Sequence, residues 1–332
     1  MISMLFCLGA VAAEDPAITN SPASRSIEAL WYESGPFVGY LFAHMTTGDY
    51  GRLYYAISED GLHFRRLNGG RRVNDDYQGH PYITHGHDGR YYLIGGGSPI
   101  TFWVSNDLVT WEKFSEASPD VFKTPDFKPG RDSRGAAKVF WDQPNETYIV
   151  TWQTSLYSKR TDYPGIDERY WGGHRALYSL SKDLKTLSDP RLLFPDQDLP
   201  AIDIFVMRLG GKYYCVYKDE RYPRYDWPNG KAIRIASADH LTGPYSKPGP
   251  RISGNFREAP SVVPRPDGTG YYMYFERYPG NQYEIATAAS MEGPWIDVYK
   301  METTIPDDTR HGVVFPITRD QWDAIIAAYG NK

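Results

Sequence analysis

The chain has 332 residues, 41% hydrophobic and 23% charged, which is enough apolar content for a packed core and too much for disorder. Lys and Arg total 36 against 41 Asp and Glu, a formal net charge of −5 with no basic block, which argues against a nucleic-acid-binding surface. Two cysteines, Cys7 and Cys215, exclude a disulfide framework and a cysteine-rich zinc site, and no apolar run reaches the roughly 18 residues that a membrane-spanning helix needs.

Residues 2–13 read ISMLFCLGAVAA, an apolar run ending in small residues, and a polar stretch follows. Ala10-Val11-Ala12 fits a signal-peptidase site. This predicts a signal peptide over 1–13, an N-terminal segment over 14–34 and one domain over 35–332, in a secreted or periplasmic protein. The basic residues that usually precede such a run are missing, so a misplaced start or a buried apolar strand is the alternative. Cys215 lies in the strand-like GKYYCVYKD and is expected to be a buried, inert thiol.

Beyond the leader the chain repeats itself. Five aromatic-rich runs follow turns: GPFVGYLFAH (35–44), GRYYLIGGG (89–97), ETYIVTWQT (146–154), GKYYCVYKD (211–219) and GYYMYFER (270–277). Each leads into a second strand-like run, and four of these second runs end in Ser-x-Asp, at Asp60, Asp107, Asp183 and Asp239, with Ala289 at the fifth place. The markers recur about every 50 residues, with one long insertion over 155–173, as blades of a propeller do. A third run precedes four of the aromatic strands: 79–86, 135–142, 201–209 and 258–266. The first aromatic strand has none, and HGVVFPIT (311–318) can supply it from the C-terminus. The prediction is an all-β, five-bladed propeller of about four strands per blade, closed by the C-terminal strand. A short C-terminal helix follows, with Thr318 as its cap and Trp322, Ile325 and Ile326 on one face. A two-sheet sandwich would leave the five copies unexplained.

In a propeller the innermost strands share the central channel, so residues at their starts converge. Those starts carry His80, Lys138, Asp203, Glu258 and His311. Gathering several ionisable groups costs several kcal/mol unless they are paired, which favours a site over packing. Two carboxyls near one another cannot both ionise freely. Glu258 is therefore read as the carboxyl that keeps its proton and acts as general acid, and Asp203 as the ionised neighbour that raises its pKa. Arg175 is a candidate carboxylate clamp or a surface ion pair, and Lys218-Asp219-Glu220 a candidate sugar subsite or a solvated turn, with Asp219 chosen as its substrate-binding member. His80, His85 and His87 have a spacing that could suggest zinc, but HGHDG reads as a hairpin turn far from His80, so no metal ligand is assigned.

Taken together, SEDGLHFRRLNGG (58–70), VFWDQPNETYIVTWQTS (139–155), IDIFVMRLGGKYYCVYKDE (202–220), REAPSVV (257–263) and TRHGVVF (309–315) resemble glycoside hydrolase family 43. Members of that family are five-bladed propeller enzymes acting on arabinofuranosides, β-xylosides or β-galactosides with inversion. The resemblance implies that Asp203 matches the family's pKa modulator and Glu258 its acid. His311 matches a histidine at the channel floor, often near a calcium ion; no other cofactor is implied. One position departs. Where the family has its base Asp, this chain has His80, in Gly79-His80-Pro81. The base is then His80 itself, Asp75 or Asp76 from the preceding loop, or absent. A Trp-Ala-Pro-Glu type segment is also replaced, by Gly135-Ala136-Ala137-Lys138. The expected function is an exo-acting glycoside hydrolase taking an oligosaccharide or polysaccharide, with Lys138, Arg175, Asp219 and His311 contacting substrate. The rivals are a non-catalytic glycan-binding propeller, or a glycosidase of an unusual sugar (anhydro-galactose or uronate) that uses His80. No nucleic-acid or membrane partner is expected.

Overall fold

The computed structural model describes residues 36–157, 167–224 and 228–330. The apolar N-terminal run with Cys7, the segment over 14–34 and part of the long insertion lie outside them. The chain opens with β1 (Phe37–Thr46), β2 (Tyr54–Ser58) and β3 (Arg65–Arg66). A second sheet holds β4 (Tyr82–His85), β5 (Tyr91–Gly96), β6 (Ile100–Ser105) and β7 (Glu112–Ala117). The third has β8 (Gly135–Asp142), β9 (Thr147–Ser155), β10 (His174–Ser181) and β11 (Arg191–Leu192), with the short helix α1 (Asp167–Gly172) between β9 and β10. The fourth has β12 (Ala201–Leu209), β13 (Lys212–Asp219) and β14 (Ala232–Ala238), and the fifth β15 (Arg257–Pro264), β16 (Tyr271–Arg277), β17 (Gln282–Ala288) and β18 (Ile296–Asp297). Last come β19 (Thr309–Thr318) and α2 (Arg319–Tyr329).

Strand β19 pairs antiparallel with β1 along its whole length, from Thr309 opposite Thr46 to Thr318 opposite Phe37. The C-terminus thus completes the first blade, in the order β19-β1-β2-β3. The inner strands close a ring: β19 packs beside β4, β4 beside β8, β8 beside β12, β12 beside β15 and β15 beside β19. Closure seats every blade between two neighbours and leaves each sheet only a short outer edge.

The fourth blade departs from the four-strand expectation. After β14 the chain reads SKPGPRI, and Pro cannot donate to a ladder. Only three amides here, those of Ser246, Gly249 and Ile252, bond back to the carbonyls of Ser237, Ile235 and Ile233, so an irregular edge replaces the outer strand.

The aromatic wealth fills the seams between blades, and each seam carries a tyrosine hydroxyl bonded across it. Tyr40 donates to Pro264 O at 2.7 Å, Tyr55 to Leu108 O at 3.0 Å, and Tyr213 to Asp142 Oδ2 at 2.9 Å. Tyr214 reaches Glu292 Oε1 at 2.7 Å, and Tyr148 receives the His87 amide at 3.0 Å. A ring buried against a neighbouring blade with its hydroxyl satisfied gains burial without an orphaned polar atom. Cys215 is fully buried in this packing, and burial pushes its thiol pKa up, as expected for an inert sulfhydryl.

Helix α2 starts with a capping box between Thr318 and Gln321 and buries Ile325. Trp322 lies so close to Gly39 that any Cβ there would stand 2.5 Å from its ring, which fixes that position as glycine.

Candidate active site

The mouth of the channel is built by bulges. Pairing slips between Gly135 and Lys138 in β8, between Ile202 and Phe205 in β12, and between Glu258 and Ser261 in β15. In β19 the slip falls at His311, between Arg310 and Gly312. Bulges re-aim side chains and end pairing, here at the same end of four inner strands. Ala136 (φ 44°), Asp203 (φ 53°) and Ala259 (φ 52°) follow the last paired residue and adopt left-handed backbone. This costs about 1 kcal/mol for each residue with a side chain. Asp203 and Glu258 are therefore not equivalent: Glu258 holds the last paired position of its strand and Asp203 the bulge position of the preceding blade's.

The two meet nonetheless. Asp203 Oδ2 accepts the Ala259 amide at 3.0 Å, which holds it beside the Glu258 backbone. Glu258 Oε1 receives His311 Nε2 at 3.0 Å, and its Oε2 receives Lys218 Nζ at 2.7 Å. The His80 ring lies 4.3 Å from the His311 ring, centre to centre, and its Nε2 bonds Tyr50 Oη at 3.0 Å. Lys138 is buried over the Tyr82 ring at 5.0 Å, with no ion pair within 4.0 Å among the described residues. Sequence reasoning thus brought Glu258, Asp203, His80, His311 and Lys138 to one place.

Arg175 does not join them. Its guanidinium donates to Gly172 O and His174 O and pairs with Asp198. Asp219 also fails as a subsite residue. Successive strand residues face opposite sides, and Asp219 turns away from the channel into a clamp by Arg221 and Arg234, the latter at 2.7 Å. Asp75 is mostly exposed beside Arg72, while Asp76 lines the cleft with His80. His85 packs on Tyr91 and His87 bonds Tyr148, both in the hairpin far along the strand from His80.

The sequence reading missed a second ring, naming of it only Lys218, within the candidate subsite over 218–220. Gln153, Lys218 and Glu276 lie directly opposite Gly135, Ile202 and Glu258 on the second strands of three blades, and all three are buried. Each reaches the next blade's inner strand. Gln153 Oε1 accepts the Asp203 amide at 3.3 Å, Lys218 donates to Glu258, and Glu276 Oε2 accepts the His311 amide at 3.0 Å. The signal was present: the aromatic strands carry Trp152-Gln153, Tyr217-Lys218 and Phe275-Glu276 at matching places. Tyr50 was also missed, because it comes from the loop between β1 and β2 rather than from an inner strand. The residue is 54% exposed, with its ring edge on His80 and its remaining surface open to the cleft.

The electrostatics correct one expectation. Burial works to raise the Glu258 carboxyl, but Lys218 and His311 outweigh it and hold it well below the usual carboxylate range. Glu258 is ionised, not the proton-bearing partner of Asp203, because two cations touch it where the sequence reading supplied only a carboxylate. His311 is the counterpart: burial would lower its pKa, but Glu258 and Asp203 prevail and raise it. The pair shares one proton, placed on the imidazole. Burial, reinforced by His311 and Lys138, pushes His80 well below its ordinary value, so it is a neutral imidazole. Lys218 also contacts Glu220 at 2.7 Å, and Lys231 bonds Glu220 in turn, so three charged groups run back from Glu258. Arg310 pairs with Glu276.

Glu258, Glu276 and His311 form a donor group for a cation. A calcium ion needs six to eight oxygen ligands. The carboxylates here are already held by Lys218, Arg310, the His311 ring and the His311 amide, so this group does not fit one.

A cleft of about 680 Å³ opens at this mouth, lined by Tyr50, Asp76, His80, Arg131, Gln153 and Trp171. Its size falls in the range of about 300–1,000 Å³ common to small-ligand sites. Trp171, from α1, stacks on His174 at 4.8 Å, so the long insertion supplies one wall.

Residues 35–323 match a family-43-related model described as "Probable glycosyl hydrolase domain". No curated protein matches the chain by sequence. Among solved structures it is similar to an exo-beta-1,3-galactanase from Phanerochaete chrysosporium with beta-1,3-galactotriose, at 13% identity and a TM-score of 0.50, over 81% of this chain and 55% of that one. It is also similar to the catalytic domain of a Coprinopsis cinerea family 62 alpha-L-arabinofuranosidase, at 13% identity and 0.47, over 71% of each chain. A Bacteroides ovatus family 43 protein of a xyloglucan PUL matches at 17% and 0.46, over 69% of this chain and 41% of that one. The chain spans about half the length of the galactanase structures that it resembles.

Proposed function

Because this chain belongs to the family-43-related glycosyl hydrolases, we propose that its axial mouth is the active centre of an exo-acting glycosidase. The substrates are polysaccharide fragments ending in arabinofuranosyl, β-xylosyl or β-galactosyl units, and the export expected from the N-terminal run would place the enzyme among them. The observation that carries this reading is the convergence of Glu258, Asp203 and His311 on His80, the member of the cluster that lines the sugar-sized cleft.

Hydrolysis needs one proton on the leaving oxygen and one water at the anomeric carbon. The His311–Glu258 pair holds the proton, one hydrogen bond from the carboxylate that would pass it on. As the C–O bond breaks, that proton goes to the leaving oxygen, the water's hydroxyl joins the anomeric carbon, and the water's other proton returns to the pair through solvent. Asp203, pinned by the Ala259 amide, keeps the Glu258 strand in register. A water held across the sugar from Glu258 attacks with inversion.

The test is a panel of aryl arabinofuranosides, xylosides and galactosides, with the product anomer followed by NMR. One class should be hydrolysed with inversion, and Glu258→Gln should lower kcat by about 10²- to 10⁴-fold while sugar binding persists. Undiminished turnover in Glu258→Gln would overturn the assignment. The ion-paired Glu258 and the missing base carboxylate favour a second reading, a propeller that binds glycan without cleaving it. Saturable binding of these oligosaccharides with no release from any of them would establish that reading instead.

A further inference from the structure

His80 and His311 each commit one ring nitrogen and keep another. His311 Nε2 bonds Glu258 at 3.0 Å, and His80 Nε2 bonds Tyr50 Oη at 3.0 Å. His80 Nδ1 is buried without any partner, an atom whose desolvation nothing in the protein offsets. Asp203 is the exception among the carboxylates of the mouth. Glu220, Glu258 and Glu276 each pair with a lysine or arginine, whereas Asp203 has no such cation within 4.0 Å among the described residues. One nitrogen from each imidazole and one Asp203 oxygen lie within 4.8 Å of one another.

We propose that His80, Asp203 and His311 bind a divalent transition-metal ion of the zinc type, leaving a coordination position open towards the cleft. Two imidazoles and one carboxylate suit such an ion and not calcium or magnesium, which prefer all-oxygen shells. Three protein ligands with a fourth place for water is the pattern of zinc sites that do chemistry. The outer contacts fit as well. A ligating histidine usually donates its other N–H to a carboxylate or another polar group, which orients the ring, as Glu258 does for His311 and Tyr50 for His80. The replacement of the expected base carboxylate by His80 is what turns an acidic pocket into this mixed donor set. The ion would take the place of a proton on the His311 ring nitrogen that is not bonded to Glu258, so its uptake competes with the proton that the hydrolase reading uses.

The test uses full-length protein stripped with a chelator and titrated with ZnCl2 by calorimetry, then with CoCl2 followed by its visible spectrum. One equivalent of zinc per chain is expected, together with cobalt bands of low-symmetry nitrogen and oxygen coordination. His80→Ala and Asp203→Asn should each weaken zinc binding by more than about 100-fold, and Tyr50→Phe by about 10-fold. His85→Ala and His87→Ala should leave it unchanged, and zinc should raise the melting temperature of the wild type but not of His80→Ala. Less than one equivalent bound, or equal binding by His80→Ala and Asp203→Asn, overturns the proposal, as does displacement of cobalt by millimolar calcium. The readout is metal binding, not sugar release, so failure here leaves the hydrolase reading standing, and failure to hydrolyse leaves the metal site standing.

Discussion

The rim and the hub of the propeller are both rich in charge, and they use it in opposite ways. On the rim the Ser-x-Asp turns look inward to themselves. Asp60 Oδ1 receives the amides of Leu62 and His63, Asp107 Oδ1 those of Val109 and Thr110, and Asp183 Oδ1 those of Lys185 and Thr186. Each also takes a bond from the serine two residues earlier. The bonds to each aspartate stay within its own turn, and the neighbouring blade reaches only a backbone carbonyl, of Gly61, Leu108 or Leu184. At the hub the bonds join residues far apart in sequence: Lys218 to Glu258, Glu258 to His311, Gln153 to Asp203. A local turn is a repeatable part. A hub made of one contribution per blade is a single object, buried, in which each charge is tolerated only because the others are present.

The strongest way to break this comparison is Lys218→Met. It removes the cation between Glu258 and Glu220 and leaves buried carboxylates short of a partner, an error that usually costs about 3–5 kcal/mol. His311 still holds Glu258 and Lys231 still holds Glu220, so the expected loss is near 3 kcal/mol. Adding Glu220→Gln should recover part of it, making the pair of changes clearly non-additive in denaturant melts. A loss below about 1 kcal/mol would mean that hub charges behave like surface ones.

This difference also explains what the sequence made legible. The aromatic runs, the Asp60, Asp107 and Asp183 markers and the returning strand at 311–318 are local patterns, and a five-fold count of them implies a closed ring. Strand starts then nominate Glu258, Asp203, His80 and His311 by topology alone. Three things stay hidden. The bulges that place Asp203 one step out of phase with Glu258 follow from the backbone of two paired strands. The ionisation of Glu258 follows from Lys218, which arrives from the second strand of the preceding blade. Asp219 was preferred over Lys218 because a strand's facing cannot be fixed until its register is known; one residue's error sends the side chain to the other side.

A buried histidine outside the carboxylate cluster sharpens the contrast. His44, in β1, is 2% exposed, and burial lowers its pKa to about 4, the opposite of His311. Its Nδ1 donates to Met45 O at 3.0 Å, and its Nε2 is buried without a partner, so a second proton has nowhere to go. The unfolded chain takes up that proton near pH 6.5, well before the folded one does. Stability is therefore complete above pH 6.5 and falls as pH drops towards 4, by about 3 kcal/mol from this group. In His44→Gln the melting temperature should fall less steeply across this window than in the wild type. Equal slopes would show that His44 is charged in the fold, as His311 is.

The smallest effect belongs to the rim. Asp107→Ala deletes the acceptor of the Val109 and Thr110 amides and of Ser105 Oγ, which donates at 2.9 Å. The turn is partly exposed, so water replaces much of what is lost, and the net cost should be about 1–2 kcal/mol. It should also add to the Lys218→Met loss without coupling, since the two sites share no partner. Additivity within about 0.5 kcal/mol would mark the turn as a separable part. A coupling larger than that would mean that the blade transmits strain from rim to hub, and the division drawn between them would fail.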